Sequence, residues 1–168
     1  GVTSREIGEK LGKSSSYIRH VRGKLAHGLG TDERTSGPIV ENASVRFPNE
    51  HRPGIPAFIN LDEKMATLLG YYCAEGSAVK SSERPNSWVL NFSLSHQEEE
   101  IADHICKLLM ECLNIRGRLV SRPTTLCVAV SKASAALLFK SLAGGMAVEK
   151  RVPPTLYNAP LSIVQAYL

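Results

Sequence analysis

The sequence has little to anchor a metal cluster, a disulfide framework or a membrane segment. Its four cysteines, at 73, 106, 112 and 127, form no C-x-x-C pair, and no histidines gather beside them. Zinc sites and a disulfide scaffold are both unsupported, and buried free thiols in a reducing compartment fit better. No apolar run reaches the ~20 residues that cross a bilayer, and no signal-peptide pattern opens the chain. An intracellular, cytoplasmic, soluble protein is therefore expected. No excess of one charge points to a polyanion: 20 basic side chains face 16 acidic ones, for a net +4, which is weak evidence alone. What is abundant is core: 43% of residues are hydrophobic, too many for disorder to be the default. The sequence opens on Gly1 and closes on an apolar run, LSIVQAYL, so a piece of a longer chain is expected.

Residues 1–27 read as a small all-α unit. Thr3 or Ser4 can cap a first helix, with Glu6 or Glu9 in its first turns. Gly12 breaks it, and residues 14–16 are serines that can cap a second, carrying Tyr17, Ile18, Val21 and Leu25. Two short helices about a glycine turn predict a helix-turn-helix, with the first helix of the full three-helix unit upstream of Gly1. Between positions 5 and 24 stand six basic and two acidic residues. Arg19, Arg22 and Lys24 would meet phosphates and base edges of a DNA groove. The competing reading is a plain helical hairpin with a solvated basic face. Residues 28–59, rich in Gly, Pro, Ser and Asn with little periodicity, predict a linker.

A second unit spans 60–160. Residues 60–63, NLDE, look like a helix cap, and the helix runs to Glu75 with Met65, Leu68, Leu69 and Tyr72 on its apolar face. Ala66, Gly70 and Ala74 fall at i, i+4 and i+8 with Cys73 beside them, a stripe of small residues that lets another helix backbone come close. Glu75 sits at the carbonyl end, where partial negative charge favours a cation, and Gly76 follows as an expected C′ residue. A carboxylate in that place calls for compensation, and a bound cation is one candidate.

Residues 88–95, WVLNFSLS, alternate as a half-buried antiparallel strand. Ala78 to Lys80 would be its partner, with residues 81–87 as the turn. SHQE at 95–98 reads as a capping box for a helix to about 113. A second hairpin is expected over 117–121 and 126–131, then a helix over 133–143 that stops at Gly144-Gly145. The order is helix, two strands, helix, two strands, helix. One face of the four strands would be wet and free of acids, with Lys80, Asn91, Ser93, Arg118 and Arg122 as possible DNA contacts.

These motifs together resemble the LAGLIDADG (dodecapeptide-type) homing endonucleases. LLGYYCAEG, residues 68–76, lies in register with the family motif, EKRVP at 149–153 resembles its K-x-[IV]-P block, and LSIVQAYL, 161–168, looks like the truncated start of a second motif helix. The resemblance covers more than half of the chain. It implies an α+β fold, an αββαββα half built on a four-stranded antiparallel saddle, here preceded by the helix-turn-helix. It implies a site-specific double-strand DNA endonuclease of an intein or mobile intron. It also implies Glu75 and the Ala74 carbonyl as ligands of Mg²⁺ or Mn²⁺, and Lys150 as a catalytic group that stabilises negative charge. Ala66, Gly70, Cys73 and Ala74 would form the interface with the second motif helix of the same chain, as a pseudo-dimer, or with a second copy as a homodimer. Cys73 stands where the family motif has an earlier acid that is not a metal ligand. The isolated piece would hold half an active site. The alternatives are a non-catalytic DNA-binding regulator and an inactive intein remnant on the same fold.

Overall fold

A computed structural model of the chain describes residues 2–26, 37–48, 50–51, 53–80 and 87–168, with the side chains of residues 20 and 23–26 outside that description. The chain divides into two compact units, Gly1–Ser36 and Gly37–Leu168.

The first unit holds α1 (Ser4–Leu11) and α2 (Ser15–Ala26). Of the two possible caps it is Thr3 that serves: its hydroxyl accepts from Glu6 N while the Glu6 carboxylate takes Thr3 N–H at 2.7 Å, a reciprocal capping box. Gly12 ends α1 at φ 61°, the left-handed conformation that glycine adopts without strain. Ser14 Oγ then accepts Tyr17 N at 3.1 Å, starting α2. The turn is tight because Gly8 is buried against it, where a Cβ would stand 2.5 Å from Lys13 O.

The stretch expected as a linker behaves otherwise from Gly37 on, while residues 27–36 lie outside the described residues. Strands β1 (Ile39–Glu41), β2 (Ser44–Arg46) and β3 (Ile55–Pro56) form a three-stranded antiparallel sheet. Asn42 and Ala43, both at positive φ, make the two-residue hairpin whose twist suits paired strands. Val45 and Ile55 pack on the main core. Between β2 and β3 the Glu50 carboxylate crosses to a distant helix. It accepts Ser134 Oγ at 2.5 Å, Ser134 N at 3.2 Å and Phe47 N at 2.9 Å, with Lys132 Nζ 3.8 Å away. Lys132 also donates to the carbonyls of His51 and Pro53. This carboxylate, almost fully buried, caps a helix that has no cap of its own.

The remainder follows the expected order: α3 (Glu63–Glu75), β4 (Gly76–Lys80), β5 (Trp88–Leu94), α4 (Glu99–Leu113), β6 (Arg118–Ser121), β7 (Leu126–Val130), α5 (Ala133–Ala143) and α6 (Leu161–Tyr167). Strands β4–β7 make a four-stranded antiparallel sheet in the order β4-β5-β7-β6. The turn expected over 81–87 falls, up to residue 86, outside the described residues. Within the NLDE stretch it is Asp62 that caps α3: its carboxylate accepts Met65 N at 2.9 Å, the third amide of the helix. Glu98 Oε2 accepts Ser95 N at 2.7 Å, half of the expected box, but α4 begins only at Glu99, with Glu98 rather than Ser95 as the residue before its first turn.

Alternate residues of β5 and β7, including Leu90, Phe92, Val128 and Val130, turn onto α3, α4 and α5. At the centre Tyr72, Phe92 and Phe139 meet edge-on or tilted, with centroids 4.9–6.4 Å apart, a geometry that adds to their area burial. Each such side chain contributes about 1.5–3 kcal/mol by burial. Among the described residues no helix is long and apolar enough to cross a membrane.

Glu50→Ala is expected to destabilise the second unit by about 3 kcal/mol, because it leaves the start of α5 uncapped and removes the carboxylate that faces the Lys132 ammonium, and Glu50→Gln by less. Urea unfolding followed by circular dichroism reads the difference.

Candidate functional site

The site grows from the carbonyl end of α3. Gly76 was expected as a left-handed cap. It is instead extended, at φ −85° and ψ 159°, and begins β4. Glycine is needed there for space: a Cβ would lie 2.2 Å from the Tyr72 ring and 2.6 Å from Tyr72 O. The helix therefore turns straight into a strand, with Glu75 at the joint. Glu75 and Ala74 are exposed, and the Glu75 carboxylate has no partner among the described residues.

The compensation that the sequence called for is partly supplied by the protein. Lys150 Nζ donates to Tyr72 O at 2.5 Å and lies 3.2 Å from the centroid of the Tyr72 ring. A cation thus shares a carbonyl of the last turn with the Gly76 N–H, near the negative end of the helix, and lies over an aromatic face. Burial pushes the Lys150 ammonium down from 10.5 to about 8. Tyr72 closes the other side: its hydroxyl donates to Gly144 O at 2.5 Å, and burial raises its pKa.

The 144–151 segment that delivers Lys150 is itself tightly folded. Gly144 has φ 90°, and a Cβ there would meet Glu149 O at 2.1 Å. The Glu149 carboxylate takes the N–H groups of Gly145 and Met146, which hold it below the usual carboxylate range. Arg151 N donates to Ala143 O at 3.1 Å, and Gly145 O accepts Ala78 N at 2.8 Å.

The small stripe of α3 is filled by α6. A Cβ on Gly70 would stand 2.2 Å from Tyr167 O, and Thr67 Oγ1 donates to Ala166 O at 2.9 Å. Ala66 is wholly buried. Cys73 donates to Arg151 O at 3.7 Å, and Tyr167, its pKa raised by burial and then by a hydrogen bond with Cys73, closes that side. Ala74 is exposed, so the stripe ends before it.

On the sheet face turned away from the helices, the register aligns Ser77, Asn91, Ala129 and Arg118 in one row across all four strands. Ser93, Cys127 and Val120 form the next. The row begins two residues after Glu75, and no Asp or Glu stands among these residues. Lys80 does not belong to this face. It shares the alternation of Gly76 and buried Ala78, and pairs with Trp88 at the strand end. Arg122 lies in the β6–β7 turn, exposed, where its carbonyl accepts His96 Nε2 at 2.9 Å and its N–H bonds Thr125 O.

In the first unit Arg19 is exposed. Arg22 is committed internally, donating to Val2 O at 3.0 Å. The Lys24 side chain lies outside the described residues. Sequence reasoning missed Tyr72, treated only as core, and Gly144. The one signal for them was the Gly144-Gly145 pair.

Among the described residues no three His, Cys, Asp or Glu side chains converge as a metal cluster. The oxygen donors at the α3 end, one carboxylate and a nearby carbonyl, suit a hard cation that keeps most of its waters.

No protein-family model matches the chain. It is similar to curated proteins named DNA polymerase from Thermococcus sp. (strain GE8), 34% identical over 110 residues, and from Thermococcus kodakarensis, 31% identical over 112. One from Thermococcus litoralis is 26% identical over 110 residues. Each match takes 66% of this chain and only 6% of the polymerase.

The Lys150 site gives a signed pH effect. Its folded pKa is below its unfolded one, so between pH 8 and 10.5 unfolding takes up a proton there and stability rises with pH. The cost of burying the charge is fully present below pH 8. Measured against Lys150→Met in thermal melts, the wild type is expected to gain stability from pH 8 to 10.5 and to show no relative change from pH 6 to 7.

Proposed function

We propose that this chain is part of a LAGLIDADG-type, metal-dependent DNA endonuclease borne by an intein or a mobile intron. One observation carries the reading. A carboxylate with no partner among the described residues, Glu75, stands at the carbonyl end of a helix that packs through Gly70 on a second helix, two residues before a sheet row whose described residues include no acid. An exposed carboxylate beside partial negative charge is unfavourable unless something cationic uses it. The matches add support. An inserted element would share most of its own length, and a small fraction of its host's, with proteins named for that host.

In this reading α6 is the counterpart of α3, its backbone at Tyr167 lying against Gly70, and the second acid belongs to the α6 side. That arrangement favours a pseudo-dimer within one chain over a homodimer, since α6 already occupies the stripe. Glu75 and the Ala74 carbonyl would hold Mg²⁺ or Mn²⁺. When bound, such an ion polarises a phosphoryl oxygen and acidifies a water. The row from Ser77 to Arg118, with Ser93 beside it, would meet double-stranded DNA, where asparagine and arginine can read purine edges. Arg122 extends that surface at the hairpin tip. Arg19 would add a phosphate contact from the first unit, whereas Arg22 secures that unit's own fold.

A second reading, a DNA-binding regulator or inactive remnant that does not cut, has its own support: among the described residues only one carboxylate lies at the α3 end. The two readings share DNA and differ in chemistry.

Glu75→Gln in the intact protein is expected to lower Mg²⁺-dependent cleavage by at least about 100-fold, while a filter-binding assay finds DNA affinity nearly unchanged. Equal loss of both would make Glu75 structural, and no cleavage by the wild type would favour the second reading. Arg19→Ala is expected to reduce the slope of log K against log salt by about 1. An unchanged slope removes α2 from the interface.

A further inference from the structure

The segment 144–150 touches the chain on both sides of Glu75. Upstream, Tyr72 is held three ways. Its hydroxyl bonds Gly144 O, its ring lies under Lys150 Nζ, and its carbonyl accepts both Lys150 Nζ and the Gly76 N–H. Downstream, Ala78 N bonds Gly145 O at 2.8 Å. Glu75 therefore sits on a short span of backbone between two stitches to one loop. That loop is closed on itself by the Glu149 carboxylate over Gly145 and Met146, and Arg151 ties it to α5 through Ala143 O and Ser141 O.

From this geometry we infer that Tyr72 and Lys150 form a positioning clamp that fixes the carboxylate end of α3 against the 144–150 loop, so that Lys150 sets where Glu75 points rather than contacting a DNA phosphate. The inference rests on the endonuclease reading for what Glu75 does, but not for how it is held. Lys150 is poorly placed for a direct role. Its Nζ is half-buried, covered on one side by the Tyr72 ring and bonded on another to the helix carbonyl. A lysine that grips a phosphate needs its ammonium free and hydrated. Tyr72 adds what an aliphatic side chain could not: a hydroxyl long enough to cross from α3 to the Gly144 carbonyl.

Native-state hydrogen exchange on this chain tests the clamp directly. Lys150→Met is expected to speed exchange of the Gly76 and Ala78 amides about tenfold while the α4 amides of Leu108 and Leu109 keep their rates. The milder Tyr72→Phe, which removes only the bond to Gly144 O, is expected to speed Ala78 exchange by a smaller factor. Unchanged rates at Gly76 and Ala78 would overturn the proposal. So would equal acceleration throughout α4, which would mean that the lysine only stabilises the fold as a whole. In the intact protein the clamp predicts lower kcat for DNA cleavage in both variants, with KM unchanged. A Lys150→Met protein that loses DNA affinity and salt dependence, with Tyr72→Phe normal, would return the lysine to the phosphates and overturn the clamp. Local acceleration in a protein that cuts no DNA would uphold the clamp and refute the endonuclease reading alone.

Discussion

The fold depends on one close approach, the backbone of α6 against Gly70 of α3. No side chain fits between them, since even a Cβ would stand 2.2 Å from Tyr167 O. This contact and the core together enclose α3 from two directions. Leu68, Leu69 and Tyr72 face the core, while Thr67, Gly70 and Cys73 lie along α6 and the segment before it. A helix held backbone to backbone on one side and by packed leucines on the other has little freedom to roll. The residues at its end inherit a fixed direction, and Glu75 is one of them.

Charge is distributed around that end in a consistent way. Lys150 meets the Tyr72 carbonyl at the helix end at the cost of its own hydration, and its pKa falls to about 8. Glu75 stays outside with its carboxylate in solvent. A half-buried cation and an exposed anion thus flank one helix terminus. Beyond it the open face of the sheet carries hydroxyl, amide and guanidinium groups on Ser77, Asn91 and Arg118, with no acid among its described residues to oppose a polyanion.

Much of this was legible in the sequence, and the exceptions have physical causes. The α+β class, α4 and its apolar face, the alternation of β5 and the stop of α5 at Gly144 all follow from local periodicity and turn chemistry. The strands at 39–56 did not, because three short strands with only Val45 and Ile55 turned inward leave no period to detect. Lys80 was assigned to the wrong face because the pairing partner sets the face: Lys80 lies opposite Trp88, on the same side as Ala78 opposite Leu90, and that pairing is not written in the short β4 segment itself. Gly76 looked like a left-handed cap, whereas its role is to make room for Tyr72. At the candidate site, the place of Glu75 at the end of α3 and the packing of a helix on the small stripe were readable from spacing. The contact of Lys150 with Tyr72 spans 78 residues, and nothing local announces it.

The cap that Glu50 places on α5 bears on how the chain folds. Donor and acceptor stand 84 residues apart, so this bond closes a long loop and its entropy must be met before it contributes. The helix it caps has no side-chain cap of its own. The first turn of α5 is therefore expected to form late, after the α3 and α4 helices and the two hairpins have drawn the ends of that loop together. The arm at 37–56 would join the second unit as a finishing step rather than as a nucleus.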